Sequence, residues 1–312
     1  MMRKQKEASS SREELQLDPG ASIRLATFDQ YRSLLFSIAY RMIGSVADAE
    51  DMLQETFIRW QESTDENIES PRAFLVTIIS RLCINHLQSA RVRREEYVGE
   101  WLPEPIVTDP SSDPFGMIKV DESLSMAFLV LLERLTPIER AVFLLREVFE
   151  YEYSEVAKMV AQSEVNCRQI LRRARQHVSA MRPRFEVPEP KRTDLFERFL
   201  TAVGTGEITG LIELLAKDVV LHSDGGGKGL AVPNEVCGAD KVARGILGSL
   251  KRLVPATLVR KLVRINGAPG LVNYLDRKPH SVLTLDVQDG RIQNIYVVTN
   301  PEKLSHIPAL TN

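Results

Sequence analysis

A chain of 312 residues is long enough for two or three domains, each with its own core. Its formal net charge of −2 excludes a basic coat for nucleic acid, so any positive surface must be local. Cys83, Cys167 and Cys237 form no CxxC pair, which argues against a disulfide framework and a zinc site and for reduced, buried thiols. Residues 1–22 lack an apolar run and no stretch is long enough to span a bilayer, so a cytoplasmic protein with no membrane partner is expected.

Residues 1–25 are expected to be a flexible N-terminal extension and 26–96 the first domain. Phe28, Tyr31, Leu34, Leu35, Ile38, Ala39 and Met42 recur at helical spacing, and Gly44 ends that helix. Ser45 then caps a second helix, with Asp48 three residues on as the other half of a capping box. On it Asp48, Asp51, Glu55 and Glu62 form an acidic stripe opposite Ala49, Leu53, Phe57 and Trp60. Such a stripe is usually a solvated face; Gln54 and Arg59 beside it also suit a polar docking surface. After a polar loop, Ser70-Pro71 opens a third helix with Phe74, Leu75, Ile78, Ile79 and Leu82 inward. Its polar side carries Thr77, Arg81, Asn85 and Gln88 and runs out into Arg91, Arg93 and Arg94.

Residues 97–116 read as a proline-rich interdomain linker that includes Trp101, Pro103 and Pro105. Proline favours an extended path there, and a tryptophan in such a segment packs into a groove. Residues 117–184 form the second domain, entered by a helix over 117–135. Thr136-Pro137-Ile138-Glu139 starts the next helix, which carries Ala141, Leu144, Leu145 and Val148 at helical spacing. A short helix from Ser154 to Val160, a tight turn at Ala161-Gln162 and a helix capped by Ser163 complete a helix-turn-helix. On the last helix Cys167, Ile170, Leu171, Ala174 and Val178 share the face that must be buried. Val165, Gln169, Arg172 and Gln176 lie opposite, flanked by Arg168 and Arg173, with Arg175 close by. Arginine and glutamine make bidentate contacts to guanine and adenine edges, and Val165 suits a thymine methyl. A solvated arginine-rich helix is the bland alternative; the short helix and tight turn before it favour DNA.

After Arg184 the composition changes. Residues 185–192 read as a stiff linker, and 193–312 as a mixed domain with two helices over 194–216 and a strand over 219–222. The run Asp224-Gly225-Gly226-Gly227-Lys228 follows, then a helix over 240–253 and strands over 257–265, 270–276, 281–287 and 291–298. Asp289-Gly290 is a hairpin signal between the last two. Helices packed on a curved antiparallel sheet would make an α+β cone with a pocket for a small molecule. The fold class is therefore multidomain: two all-α domains followed by an α+β cone.

Residues 40–56, Tyr-Arg-Met-Ile-Gly-Ser-Val-Ala-Asp-Ala-Glu-Asp-Met-Leu-Gln-Glu-Thr, resemble the second region of bacterial sigma factors, and 135–178 resemble their fourth. Together they look like the two-domain extracytoplasmic-function class. The Trp101 to Pro105 segment, the Asp224 to Lys228 run and Asn300-Pro301-Glu302-Lys303-Leu304 are similar to motifs of the group with a fused SnoaL-like (NTF2-like) domain. In that group the last motif usually has aspartate where Glu302 stands. The resemblance implies an alternative sigma factor that binds RNA polymerase core and directs promoter-specific initiation, regulated in cis by its third domain. Asp48, Asp51, Gln54 and Glu55 would meet the core enzyme. Arg81, Asn85, Arg91, Arg93 and Arg94 would face the promoter melting element, where unstacking costs a few kcal/mol per base. The helix-turn-helix would read the upstream promoter DNA. The glycine loop and tail would touch the linker at Trp101, Pro103 and Pro105, with Trp101 as the apolar anchor.

An enzyme is the strongest competing class, since SnoaL-like folds include cyclases and isomerases. His222, Asp224, Tyr274 and Asp286 are the groups that would transfer protons. Strand residues of alternating polarity also line a cone without catalysis, so no catalytic residue, cofactor or metal is expected. The glycine run lacks Walker spacing and a following serine or threonine. An ordinary repressor is disfavoured by the acidic helix and the separate basic helix.

Overall fold

The computed structural model describes residues 19–63, 68–94, 97–107, 124–179, 188–227, 235–253 and 257–310. Helix α1, Pro19–Ile43, begins inside the stretch expected to be an extension. Arg24 explains the longer helix: its backbone carbonyl accepts the Trp60 indole N–H at 2.9 Å, and its guanidinium donates to Ser63 at 2.8 Å. Gly44, at φ +75°, stops α1 in the left-handed conformation that glycine adopts without strain. Helix α2, Val46–Glu62, buries Ala49, Leu53 and Trp60 against α1 and α3. Helix α3, Pro71–Arg94, is buried on more than the face read from its periodicity, because Val76, Ser80, Cys83, Ile84 and Leu87 are also buried. It packs on α1 and α2 and also on α5 and α6 of the second helical domain.

The linker, residues 97–107, is extended, and Val107 makes an isolated bridge to Ile265 of the sheet. Helix α4 is Met126–Leu132, capped by Ser125, and is shorter than the helix expected over 117–135; residues 108–123 lie outside the described residues. Helix α5, Pro137–Phe143, has the reciprocal capping box of Thr136 and Glu139, and continues as a π-helical turn, Leu144–Val148. Helix α6, Tyr153–Met159, is followed by Ala161 at φ +53° and then by α7, Glu164–Ser179, with Asn166 N–H bonded to Ser163 Oγ at 3.1 Å. One continuous apolar core runs through α1 to α7.

Helix α8, Glu189–Thr205, already contains Glu189 and Pro190, so the expected stiff linker is partly a helix start with proline in its first turn. Helix α9, Ile208–Leu214, leads directly into strand β1, Leu215–Asp224. Then come β2 (Val236–Cys237), α10 (Ala239–Leu253), β3 (Val259–Ile265), β4 (Ala268–Leu275), β5 (Lys278–Gln288), β6 (Arg291–Val298) and α11 (Pro301–Leu304). The short β2 was not foreseen, and it leaves Cys237 exposed on an edge strand where a buried thiol was expected. Sheet order is β2-β1-β6-β5-β4-β3. The expected all-antiparallel sheet is corrected at one seam, since β1 and β6 run parallel. One helix, α10, and the other four strands separate β1 from β6 in sequence, and such a crossover permits parallel pairing.

Side chains on the two faces of the sheet have different partners. Leu221, Leu271, Leu285 and Ile295 face Phe199, Leu211 and Val242 of the domain's own helices. Val272, Tyr274, Val282, Tyr296 and Val298 face the other way, onto Leu102 of the linker, Met126 of α4, and Leu304 and Ile307 of the tail. The second face therefore does for the sigma-like half what a core does within one domain.

Candidate functional site

The linker, the glycine loop and the tail converge on one carboxylate. Asp224, at the end of β1, is fully buried. Its Oδ1 accepts the Tyr97 hydroxyl at 2.6 Å and the Gly226 N–H at 3.0 Å. Its Oδ2 accepts the Leu102 N–H at 2.8 Å and the Lys303 ammonium at 2.7 Å. Lys303 also donates to the Leu102 carbonyl, and its Nζ sits 4.0 Å from the centre of the Trp101 ring. A buried charge pair survives only when its remaining donors and acceptors are satisfied, and here the linker backbone satisfies both. Burial, followed by the neighbouring Asp224 carboxylate, pushes the Tyr97 phenol well above its ordinary pKa, so it stays a donor.

Glycine serves close approach at two positions of the loop; a Cβ at Gly227, at φ +71°, would lie 3.2 Å from Val98 Cβ of the linker. Gly226, at φ +58°, lies so near Asn300 that a Cβ would collide with the amide. Asn300 caps α11 by accepting the Glu302 N–H at 3.0 Å and donates to Tyr97 at 2.9 Å. Within the tail motif Asn300, Lys303 and Leu304 are buried while Pro301 and Glu302 are exposed. Glu302 gives its backbone N–H to the Asn300 cap and is exposed, a setting that accommodates a longer acid. The Trp101 ring also reaches the turn of the first domain, where a methyl group at Gly44 would be 2.7 Å from it. Gly225 is buried, Pro103 and Pro105 are buried, and Lys228 lies outside the described residues.

Glu104 and Asn266 were missed as site residues by sequence reasoning. Glu104 of the linker accepts the Val46 N–H at 2.6 Å and the Ser45 hydroxyl at 3.2 Å, so the linker completes the N-terminal cap of α2. Asp48, the expected partner in that cap, lends its N–H to Ser45 and its carboxylate lies 3.7 Å from His86. Burial raises the Glu104 pKa, with the Val46 N–H opposing. Asn266, buried in the β3–β4 turn, accepts the Ile106 N–H at 2.9 Å and donates to the Tyr40 hydroxyl at 2.7 Å and the Leu124 carbonyl at 3.0 Å. One amide thus joins the first domain, the linker, the start of the second domain and the sheet. Its only sequence signal was the Asn-Gly pair at 266–267, which marks a hairpin turn and says nothing of partners.

The groups weighed as catalytic lie on the linker-facing side of the sheet. His222 stacks on Tyr296 at 5.0 Å, and its Nδ1 is 2.6 Å from Glu100 of the linker. Its Nε2 faces Asn294 Oδ1 at 3.2 Å, and Asn294 donates to Asp286 at 2.8 Å. Burial works to lower the His222 pKa, but Glu100, Asn294 and Glu235 outweigh it and the net direction is upward. Tyr274 is buried on the same face.

The helix faces follow the sequence pattern. On α2, Asp51, Gln54 and Ile58 are exposed, and Glu55 is half-buried and paired with Arg59 at 2.7 Å. On α7, Cys167, Ile170, Leu171, Ala174 and Val178 are buried while Val165, Arg168, Gln169, Arg172, Arg173, Arg175 and Gln176 are exposed. Arg168 pairs with Glu164 and stacks on Tyr153; Arg175 is held by both oxygens of Glu147. On α3, Asn85 is exposed, and Arg81 donates to the Lys158 and Met159 carbonyls of α6 at 2.7 and 3.0 Å. Arg91, Arg93 and Arg94 are on α3, but their side chains lie outside the described residues.

Two helical domains, one an acidic-faced bundle and one a helix-turn-helix, joined by a clasped linker to an α+β domain, are the parts of a promoter-recognition factor. Residues 27–93 match the family Sigma-70 region 2, and residues 125–178 match Sigma-70, region 4. The chain is 36% identical over 297 residues to the ECF RNA polymerase sigma factor SigJ of Mycobacterium tuberculosis, covering 92% of this chain and 95% of that one. It is 32% identical over 286 residues to the probable ECF RNA polymerase sigma factor SigI of the same species, covering 91% and 96%. The crystal structure of the M. tuberculosis extracytoplasmic function sigma factor SigJ superposes with a TM-score of 0.76 at 33% identity, over 92% of this chain and 100% of that one. The chain belongs to the extracytoplasmic-function sigma factors, in the group with a SnoaL-like third domain. Its work is accordingly to bind RNA polymerase core and direct transcription initiation at promoters.

Proposed function

We propose that the third domain regulates the sigma factor in cis by holding the interdomain linker, and that the acidic and basic helix faces divide the work of polymerase and promoter binding. The observation that carries the regulatory part is Asp224, whose carboxylate accepts from the linker at Tyr97 and Leu102 and from the tail at Lys303. A domain on the same chain has a high effective concentration against its target, so modest contacts suffice without a separate inhibitor. The docked arrangement also occupies Arg81 with α6, and an arginine needed for promoter melting would be released when the two helical domains part. Control through the linker needs no small-molecule ligand in the cone and no catalysis there.

Asp48, Asp51, Gln54 and Glu55 are assigned to core polymerase, with exposed Ile58 adding apolar contact beside them. Arg81, Asn85, Arg91, Arg93 and Arg94 are assigned to the melting element. Val165, Arg168, Gln169, Arg172, Arg173, Arg175 and Gln176 are assigned to upstream DNA. Such a factor works in the cytoplasm beside the polymerase, and among the described residues no helix is long and apolar enough to cross a membrane. The test is run-off transcription with core enzyme, set beside melting temperature, for Trp101→Ala and Asp224→Asn. Transcription altered several-fold beyond what lost stability explains is expected. Activity that falls only in proportion to stability would show that the clasp is structural.

A further inference from the structure

Three donor side chains from three separate segments meet beside the clasp. Glu100 comes from the linker, His222 from β1, and Glu235 from the residue preceding β2, which the Leu221↔Val236 pairing brings next to His222. Their donor atoms lie within 4.8 Å of one another. His222 Nδ1 is 2.6 Å from Glu100 Oε1 and 3.7 Å from Glu235 Oε1. Among the described residues, the ion pairs of both glutamates are with this ring.

The other side of the ring decides what it can do. Asn294 spends its amide N–H on Asp286, so its oxygen faces His222 Nε2, which must carry a hydrogen. Nδ1 then faces two carboxylates. Its 2.6 Å contact with Glu100 has hydrogen-bond length and is held by a proton in the metal-free protein; an ion bonded to both atoms would replace that proton and move them roughly 3 Å apart. A proton there would neutralise half of the charge on the two glutamates; a divalent ion would neutralise all of it. The Nε2–H···Asn294···Asp286 relay is also the outer support that a metal-bound imidazole uses to fix its tautomer and orientation. One imidazole nitrogen and two carboxylate oxygens form a borderline donor set suited to zinc, cobalt or manganese, with an open position for water. Glu235, directly before the edge strand β2, is half exposed.

We propose that Glu100, His222 and Glu235 form a divalent transition-metal site that staples the interdomain linker to the third domain. Glu100 directly precedes Trp101, so an ion held there would tighten the clasp at Asp224. Metal binding stands on this geometry alone; its effect on transcription rests on the regulation in cis proposed above.

The experiment uses the full chain, stripped of metal and kept reduced, titrated with Zn²⁺ by calorimetry and with Co²⁺ by visible absorption. One equivalent should bind to the wild type and raise its melting temperature. Glu100→Gln and Glu235→Gln should each weaken binding by roughly tenfold or more. Cys237→Ser, on the neighbouring exposed strand, should bind as the wild type does. Melting of the metal-free variants confirms that they fold, and Glu235→Gln, half exposed, is the variant that most securely does. No bound equivalent, or binding untouched by either glutamine substitution, overturns the proposal. So does a melting temperature that ignores metal but falls as pH rises past the His222 titration, because the cation is then a proton. Binding that behaves as expected while run-off transcription ignores Zn²⁺ keeps the site and removes its regulatory role.

Discussion

Asp224 has no access to solvent, and its oxygens accept from the linker, the loop and the tail. Asp224→Asn would leave the Lys303 ammonium buried and uncompensated, a change that costs about 3–5 kcal/mol. The double variant Asp224→Asn with Lys303→Met should recover much of that loss, since the orphaned charge is then gone. Calorimetric melting of the two proteins checks it; an equal loss in both would mean that the salt bridge itself, and not the unpaired lysine, sets the cost. Asn266 poses a parallel question because it sits at φ +50° as well as bonding three segments. Asn266→Gly relieves the backbone and removes only the amide, so a loss of about 1–3 kcal/mol is expected from the groups left unsatisfied. Wild-type stability in that variant would assign the residue's importance to its backbone conformation.

At the scale of elements, α2 and α7 each divide cleanly into a buried and an exposed face. Reversal of Asp51 and Glu55 to lysine touches only the outward side of α2, so stability should change by less than about 0.5 kcal/mol while capture of core polymerase weakens. Undiminished capture by the double variant would remove the acidic face from the core interface. On α7, Gln169→Ala should cost roughly 1–3 kcal/mol at one promoter position and relax specificity there. Arg175→Ala should instead weaken all sequences alike and flatten the salt dependence. Because Glu147 already holds Arg175, its promoter contact must compete with that ion pair. Binding isotherms across promoter variants and salt concentrations separate the two substitutions, and identical patterns would contradict this division of roles.

For the whole molecule, the proposed role of the clasp is to set where two DNA-binding domains sit relative to each other. Leu102 and Ile106 are fully buried, and each such side chain stabilises docking by about 1.5–3 kcal/mol. A chain ending at Thr299 removes Lys303 and Leu304 from the linker-facing core. Its radius of gyration by small-angle scattering should rise as the domains separate, with the far-ultraviolet helix signal retained. An unchanged radius would show that the tail does not hold the domains together.

Amphipathic spacing, capping residues and turn chemistry are local quantities, so the sequence by itself determined most of the helices, the helix-turn-helix and its exposed arginine face, and the later strands. Linker, glycine loop and tail could be named as interacting motifs only through resemblance, and their partners were not legible. Periodicity could not show that α3 is buried on several sides, because the second burden comes from α5 and α6, far away in the chain. Nor could it show β1 beside β6 in parallel, or that Glu104 would finish the cap of a helix 58 residues earlier. The same holds for the meeting of Glu100 and Glu235 with His222; of the three, His222 alone stood out in the sequence. Only the tertiary structure brings them together, because hydrogen bonds and ion pairs depend on distances of a few ångströms that long-range packing alone sets.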